Sequence, residues 1–196
     1  MKAQFLPLIL LVATTSFAEE DLRSKVAEAN DYKSFNDVID PDKSIFGIPL
    51  GTTEEEFIEK NGKPLGYLRL KGNETVMIYG KSNGFLFSGG KLAGVMVAHN
   101  IINYELAEIM EKSKIFPDYN QWQLSNGVKP DMKLAKVREL FGGRLSSDDG
   151  PMLYRQYALT EKSRVELSFS RHTDKAENDE EAYSLNSIII RPRNSE

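Results

Sequence analysis

Between Arg164 and Ser170 the side chains alternate without a break. Val165, Leu167 and Phe169 share one side of an extended chain, while Arg164, Glu166, Ser168 and Ser170 share the other. Successive residues of a strand point to opposite faces, so this stretch demands an antiparallel sheet with one face in a core and one in water. Flanking runs extend the pattern. Met152 to Leu159 and Tyr183 to Ile190 read as further strands, with the polar, acidic Thr173 to Glu181 as a long hairpin loop between two of them. On the partner strand, Tyr154 and Gln156 are assigned to the wet face and Leu153, Tyr157 and Leu159 to the core.

Upstream of these strands lies a helix. Asp131 follows Pro130 as an N-cap candidate, Leu134, Val137, Leu140 and Phe141 fall on one helical face, and Gly142-Gly143 ends the run. The same order occurs earlier in the chain. Thr53-Glu54-Glu55-Glu56 is a capping box, Phe57 and Ile58 supply an apolar side, and Asn61-Gly62 with Pro64 stops the helix. Strands are predicted at Leu65 to Leu70, Glu74 to Tyr79, Phe85 to Phe87 and Leu92 to Ala98, joined by Gly72-Asn73, Ser82-Asn83-Gly84 and Gly89-Gly90 turns. In this first set both faces are apolar, which requires cover on both sides. The candidates are a helix over Asn103 to Ile115, the other unit's sheet, or a partner protein.

A shift of 80 residues lays Phe57 over Val137 and Gly62 over Gly142. The expected fold is therefore α+β: two tandem repeats of a short helix followed by a three- to four-stranded antiparallel sheet, with extra N-terminal and inter-repeat helices. The divisions are a leader at 1–18, an N-terminal helix and linker at 19–44, repeat 1 at 45–98, a connecting helix and loop at 99–125, and repeat 2 at 126–196.

The leader rests on Lys2, the apolar run Phe5 to Val12, and the small residues of Ser16-Phe17-Ala18, with cleavage expected after Ala18. That run is too short for a bilayer, which takes about 20 apolar residues. An exported protein, periplasmic or secreted and bacterial, is the expectation. The absence of cysteine fits it, since secreted eukaryotic domains of this size more often carry disulfides. Losing Lys2 with the leader takes the formal charge from −4 to −5. Such a surface argues against nucleic acid or an anionic membrane as partner, because both select a clustered basic face.

Chemistry-bearing patterns are sparse. His99 and His172 are the two histidines, and although His172 lies beside Asp174 no nucleophile-elbow motif accompanies it. The carboxylates Asp174, Glu177, Asp179, Glu180 and Glu181 lack the spacing of a calcium loop. Gly142-Gly143-Arg144 and Gly89-Gly90-Lys91 lack the spacing of a phosphate loop and read as a helix stop and a turn. Neither a catalytic residue, a metal nor a cofactor is assigned. Aromatic anchors for an interface could come from Tyr67, Tyr119, Trp122, Tyr154 and Tyr157.

The Gly51…Gly62-Lys63-Pro64 helix-and-stop, followed by a strand meander, resembles the repeats of the β-lactamase inhibitory protein and the single unit of the SmpA/OmlA outer-membrane lipoproteins. The likeness covers Ile45 to Ala98 and, more weakly, Asn126 to Ile190. It departs in lacking both the disulfides of the first family and the lipid-bearing cysteine of the second. The resemblance implies binding of another protein rather than catalysis. The expected function is thus an exported, non-enzymatic protein-binding module of inhibitor, immunity or envelope-assembly type. Its docking face is expected around Tyr154, Gln156, Arg164 and Glu166. The alternative is a small secreted hydrolase of an envelope polymer using carboxylates or His172.

Overall fold

The protein is described by a computed structural model covering residues 36–99, 101, 116–117, 119–147, 154–172, 176 and 178–193. The leader, the helix expected after it, the helix expected over Asn103 to Ile115 and most of the loop Thr173 to Glu181 lie outside the described residues.

Seven strands form near where alternation and turns predict them; four short ones, within 38–49 and at 123–124, are not predicted. β4 (Gly66–Leu70), β5 (Glu74–Tyr79), β6 (Asn83–Ser88) and β7 (Lys91–Val97) make an antiparallel meander. β9 (Arg155–Leu159), β10 (Ser163–Arg171) and β11 (Tyr183–Pro192) make a second one. The two do not form separate sheets. β7 pairs antiparallel with β11 through Val97↔Ile188, Met96↔Ile189 and Val95↔Ile190, giving one seven-stranded sheet in the order β4-β5-β6-β7-β11-β10-β9.

This overturns the tandem-repeat expectation. The described chain is mostly β, with two α-helices, α1 (Glu54–Asn61) and α2 (Leu134–Leu140), and no second, independent helix-covered sheet. The physical reason is the pair of strands at the seam. An unpaired strand edge exposes N–H and C=O groups, and β7 and β11 each carry an apolar face of matching register, Val95 and Val97 beside Ile190 and Ile188. Pairing them satisfies both edges and merges two small cores into one.

That shared core contains Phe57 of α1 and Val137 of α2, both fully buried, with Phe85, Leu92, Val95, Val165, Leu167, Leu185 and Ile190 of the sheet. The Phe57 ring sits 4.8 Å from Phe85, 5.3 Å from Phe87 and 5.5 Å from Tyr79, and the Tyr79 hydroxyl donates to the Gly62 carbonyl at 2.6 Å. A second, four-stranded sheet adds Ile39, Ile45 and Ile48 to the same core. It comprises β1 (Val38–Asp40), β2 (Ser44–Ile45), β3 (Ile48–Pro49) and β8 (Gln123–Leu124), in the order β3-β2-β1-β8, with β8 parallel to β1.

The two helices begin differently. At α1 the capping box is complete: the Glu56 N–H donates to the Thr53 hydroxyl and the Glu56 carboxylate accepts from the Thr53 N–H. These bonds hold the Glu56 carboxyl below its usual range. Asp131 does not cap α2. Its φ of 64° is left-handed, whereas an N-cap is extended. Its N–H donates to the Leu185 carbonyl, so the 131–133 segment lies against β11 and α2 starts after Lys133.

One glycine fixes the seam. Along β6, Leu86 faces Gly94 and Phe87 faces Leu92, so Ala93 is an extra residue in β7. The resulting bulge drives Gly94 against β11, where a Cβ would stand 1.9 Å from the Ile190 carbonyl oxygen and 2.8 Å from its carbon. Gly94→Ala is expected to cost about 3 kcal/mol or more in urea unfolding, because backbone must move. Gly89→Ala, left-handed at φ 56° with nothing within 4 Å, is expected to cost about 1 kcal/mol. Equal losses would show that the seam is not tight.

Candidate functional site

The pairing β9–β10–β11 assigns every side chain to a face. Val165 stands opposite Ala158 and Ile190, and Leu167 opposite Gln156 and Ile188; these residues face the core. Tyr157 stands opposite Glu166, itself opposite Ile189, and Arg164 lies between Leu159 and Arg191; these face outward.

One of the expected docking residues therefore changes face. Gln156 is buried, not wet, and its Nε2 donates to the Arg155 carbonyl at 3.0 Å. Tyr157 and Leu159 take the outer face in its place. The sequence presents apolar residues at both parities of this strand, and a slip of one residue exchanges the faces. The small Ala158, buried opposite Val165, marks the core parity. Tyr154 is exposed as expected, but it precedes β9 and its ring packs 5.6 Å from Tyr183, away from the others.

Arg164 and Glu166 are brought together. Arg164 Nε donates to Glu166 Oε1 at 3.1 Å, and Arg191 Nη2 donates to Glu166 Oε2 at 3.2 Å. The Arg164 guanidinium also lies 4.0 Å from the centre of the Tyr157 ring, a cation–π arrangement. Around this cluster is an open concavity of about 340 Å³ whose rim includes Arg155, Ser168 and Ile189. Three guanidinium groups thus surround one carboxylate, a surplus of positive charge on a protein that is negative overall. Arg155 and Arg191 carry no evident signal in the sequence, because exposed arginines are common; only strand register groups them.

Two further groupings carry polar chemistry. Lys133 Nζ donates to the Ser184 hydroxyl at 3.0 Å, and His172 Nε2 lies 2.9 Å from the same oxygen. In the acidic stretch, Asp179 caps a 3₁₀ turn at Glu180–Ala182 and Glu180 pairs with Arg138 at 2.9 Å. Among the described residues no three metal-ligating side chains converge. Of the remaining aromatic candidates, Trp122 is buried, Tyr119 packs on His99 at 4.6 Å, and Tyr67 is exposed.

The β9–β10 hairpin is tied to the small sheet. Asp42, in the β1–β2 turn, accepts from the Thr160 hydroxyl at 2.6 Å and the Lys162 N–H at 2.8 Å, closing the β9–β10 hairpin. Burial raises the Asp42 carboxyl, but the bonds from Thr160, Lys162 and Glu161 and the Lys162 charge outweigh it, and the net shift is downward from 3.8. A depressed folded value means that the stabilisation is full above the unfolded value, near 3.9, and disappears as pH falls below it. Unfolding midpoints measured from pH 6 to pH 2 should fall in the native chain and fall less in Asp42→Asn. Parallel curves would remove Asp42 from this role.

No protein-family model matches the chain, and no curated protein matches it significantly. Among solved structures the fold is similar to that of an extracellular protein containing a SCP domain from Bacillus anthracis, at 14% identity and a TM-score of 0.50 over 79% of this chain and 47% of that one. A cysteine-rich secretory protein from Staphylococcus aureus aligns over 83% of this chain and 51% of its own at 10% identity, but with a TM-score of 0.34. The chain spans about half the length of these proteins. The resemblance to the β-lactamase inhibitory protein and to SmpA/OmlA is thereby corrected. It rested on a helix stop and hairpin turns, which are local features, and on two separate sheets, which the β7–β11 pairing replaces. Among the described residues no helix is long and apolar enough to cross a membrane.

Proposed function

We propose that this is an exported, non-enzymatic protein-binding module that docks another protein on the outer face of β9–β11. The observation that carries this reading is the Arg164–Glu166–Arg191 cluster, stacked on Tyr157 and bordered by Arg155 within an open concavity. Arginine and tyrosine are the residues from which interface hot spots are built. Here Glu166 holds two guanidinium groups in place, so less side-chain entropy remains to be lost when a partner binds. The surplus positive charge favours an acidic patch on that partner. Export rests on the apolar run Phe5 to Val12 and the small residues before Glu19.

A photo-crosslinking amino acid at position 157 should trap a partner protein in the native envelope, and Arg155→Glu combined with Arg191→Glu should abolish the adduct without altering the melting curve. The same probe at Lys136, exposed on α2, serves as the control. No adduct at 157, or equal adducts at both positions, would remove this face.

A second reading, a small hydrolase, draws on the Ser184 hydroxyl between His172 and Lys133. Against it, a nucleophile needs free N–H groups beside it to stabilise an oxyanion. The Leu185 N–H already donates to Met132, and Ser184 is bridged to Lys133 and paired with Ser170. A fluorophosphonate probe should leave Ser184 unlabelled; labelling that disappears in His172→Ala would favour the hydrolase.

A further inference from the structure

The seven-stranded sheet has two outer edges, and they are treated differently. At β9 the edge is bridged at its centre: Ser146 and Tyr157 exchange backbone hydrogen bonds at 2.9 and 2.8 Å. At β4 nothing among the described residues pairs beyond β5. Alternate residues of β4 therefore hold out N–H and C=O groups with no strand to receive them among the described residues.

The side chains along this edge are unusual for one left open. Tyr67, Leu68 and Leu70 are 53%, 46% and 49% exposed, three of the five large hydrophobic residues exposed among the described residues. Natural sheets protect open edges with charge, proline or a bulge. β4 has a single charge within it, Arg69, flanked by Lys71 and Lys63, and none of these three cations has an ion-pair partner among the described residues. Strand register sets the faces. Leu68 and Leu70 stand opposite Val76 and Glu74 on the sheet's outer face, and Tyr67 and Arg69 opposite Met77 and Thr75 on the other.

We propose that β4 receives an extended acidic segment of another protein as an eighth strand. The backbone of β4 supplies the hydrogen bonds, Leu68 and Leu70 grip apolar side chains on one face, and Arg69, beside Tyr67, selects acidic side chains on the other. Unpaired cations decide the occupant. A second copy of this chain, pairing β4 with β4, doubles the basic charge along one edge, whereas an acidic strand neutralises it. The inference rests on the reading of the protein as a binding module, but it uses a surface separate from the arginine concavity.

The test uses the whole chain and a fluorescent, acetylated peptide of alternating valine and glutamate, seven residues long. Its counterparts carry lysine for glutamate, or N-methyl groups on one or the other alternate set of amides. The acidic peptide is expected to bind and the lysine peptide not. One N-methyl set should abolish binding while the other leaves it intact, since only one set faces β4. Arg69→Glu should weaken binding roughly tenfold with an unchanged melting curve, and Arg155→Glu with Arg191→Glu should leave it unchanged. No binding, equal binding of both N-methyl sets, or indifference to Arg69→Glu overturns the proposal, and a crosslink persisting at position 157 would show that the binding-module reading survives that failure. A concentration-dependent dimer in sedimentation, lost in Leu68→Asp, would give the edge to a second copy and also overturn it.

Discussion

Everything else in the fold depends on the pairing of β7 with β11. Three residue pairs, Val97 with Ile188, Met96 with Ile189 and Val95 with Ile190, join strands that arise far apart in the chain. Without them each meander is a three- or four-stranded sheet under a helix of seven or eight residues, too small to exclude water from its apolar face. With them Phe57, Val137 and the four-stranded sheet share one interior. The Ala93 bulge and Gly94 are the local adjustment that lets the strands approach, and they permit no side chain at the point of contact.

The legible parts of this fold are those written in short-range chemistry. Thr53 and Glu56 announce a helix start that forms with both of its bonds, and the glycine-containing turns separate strands at the expected places. The alternation from Arg164 to Ser170 gives the correct faces because polar or charged residues occupy every second position. Where both parities are apolar, as from Tyr154 to Leu159, the pattern loses its meaning, and Gln156 and Tyr157 exchange places. Asp131 shows a different limit. A good capping residue is overruled when its backbone is claimed by a neighbouring strand.

Long-range pairing is what the sequence does not display. Two units of similar order read as two repeats, and only the match between the β7 and β11 edges shows that they complete a single sheet. The candidate site follows the same rule. Arg164 and Glu166 are visible as neighbours on one strand, but Arg191 joins them only through the β10–β11 register and Tyr157 only through β9. A site assembled across three strands has no motif.

The position of β11 has a bearing on how the chain acquires its structure. It is the last strand of the described sequence to be made and yet it lies inside the sheet, between β7 and β10. The first meander must therefore wait, with the rim of β7 open and adhesive, until β11 has emerged. A chain with this arrangement gains from being held unfolded until β11 has been made, because early collapse would present that rim to neighbouring copies. Loss of β11 would not trim the sheet at its margin but split it through the middle.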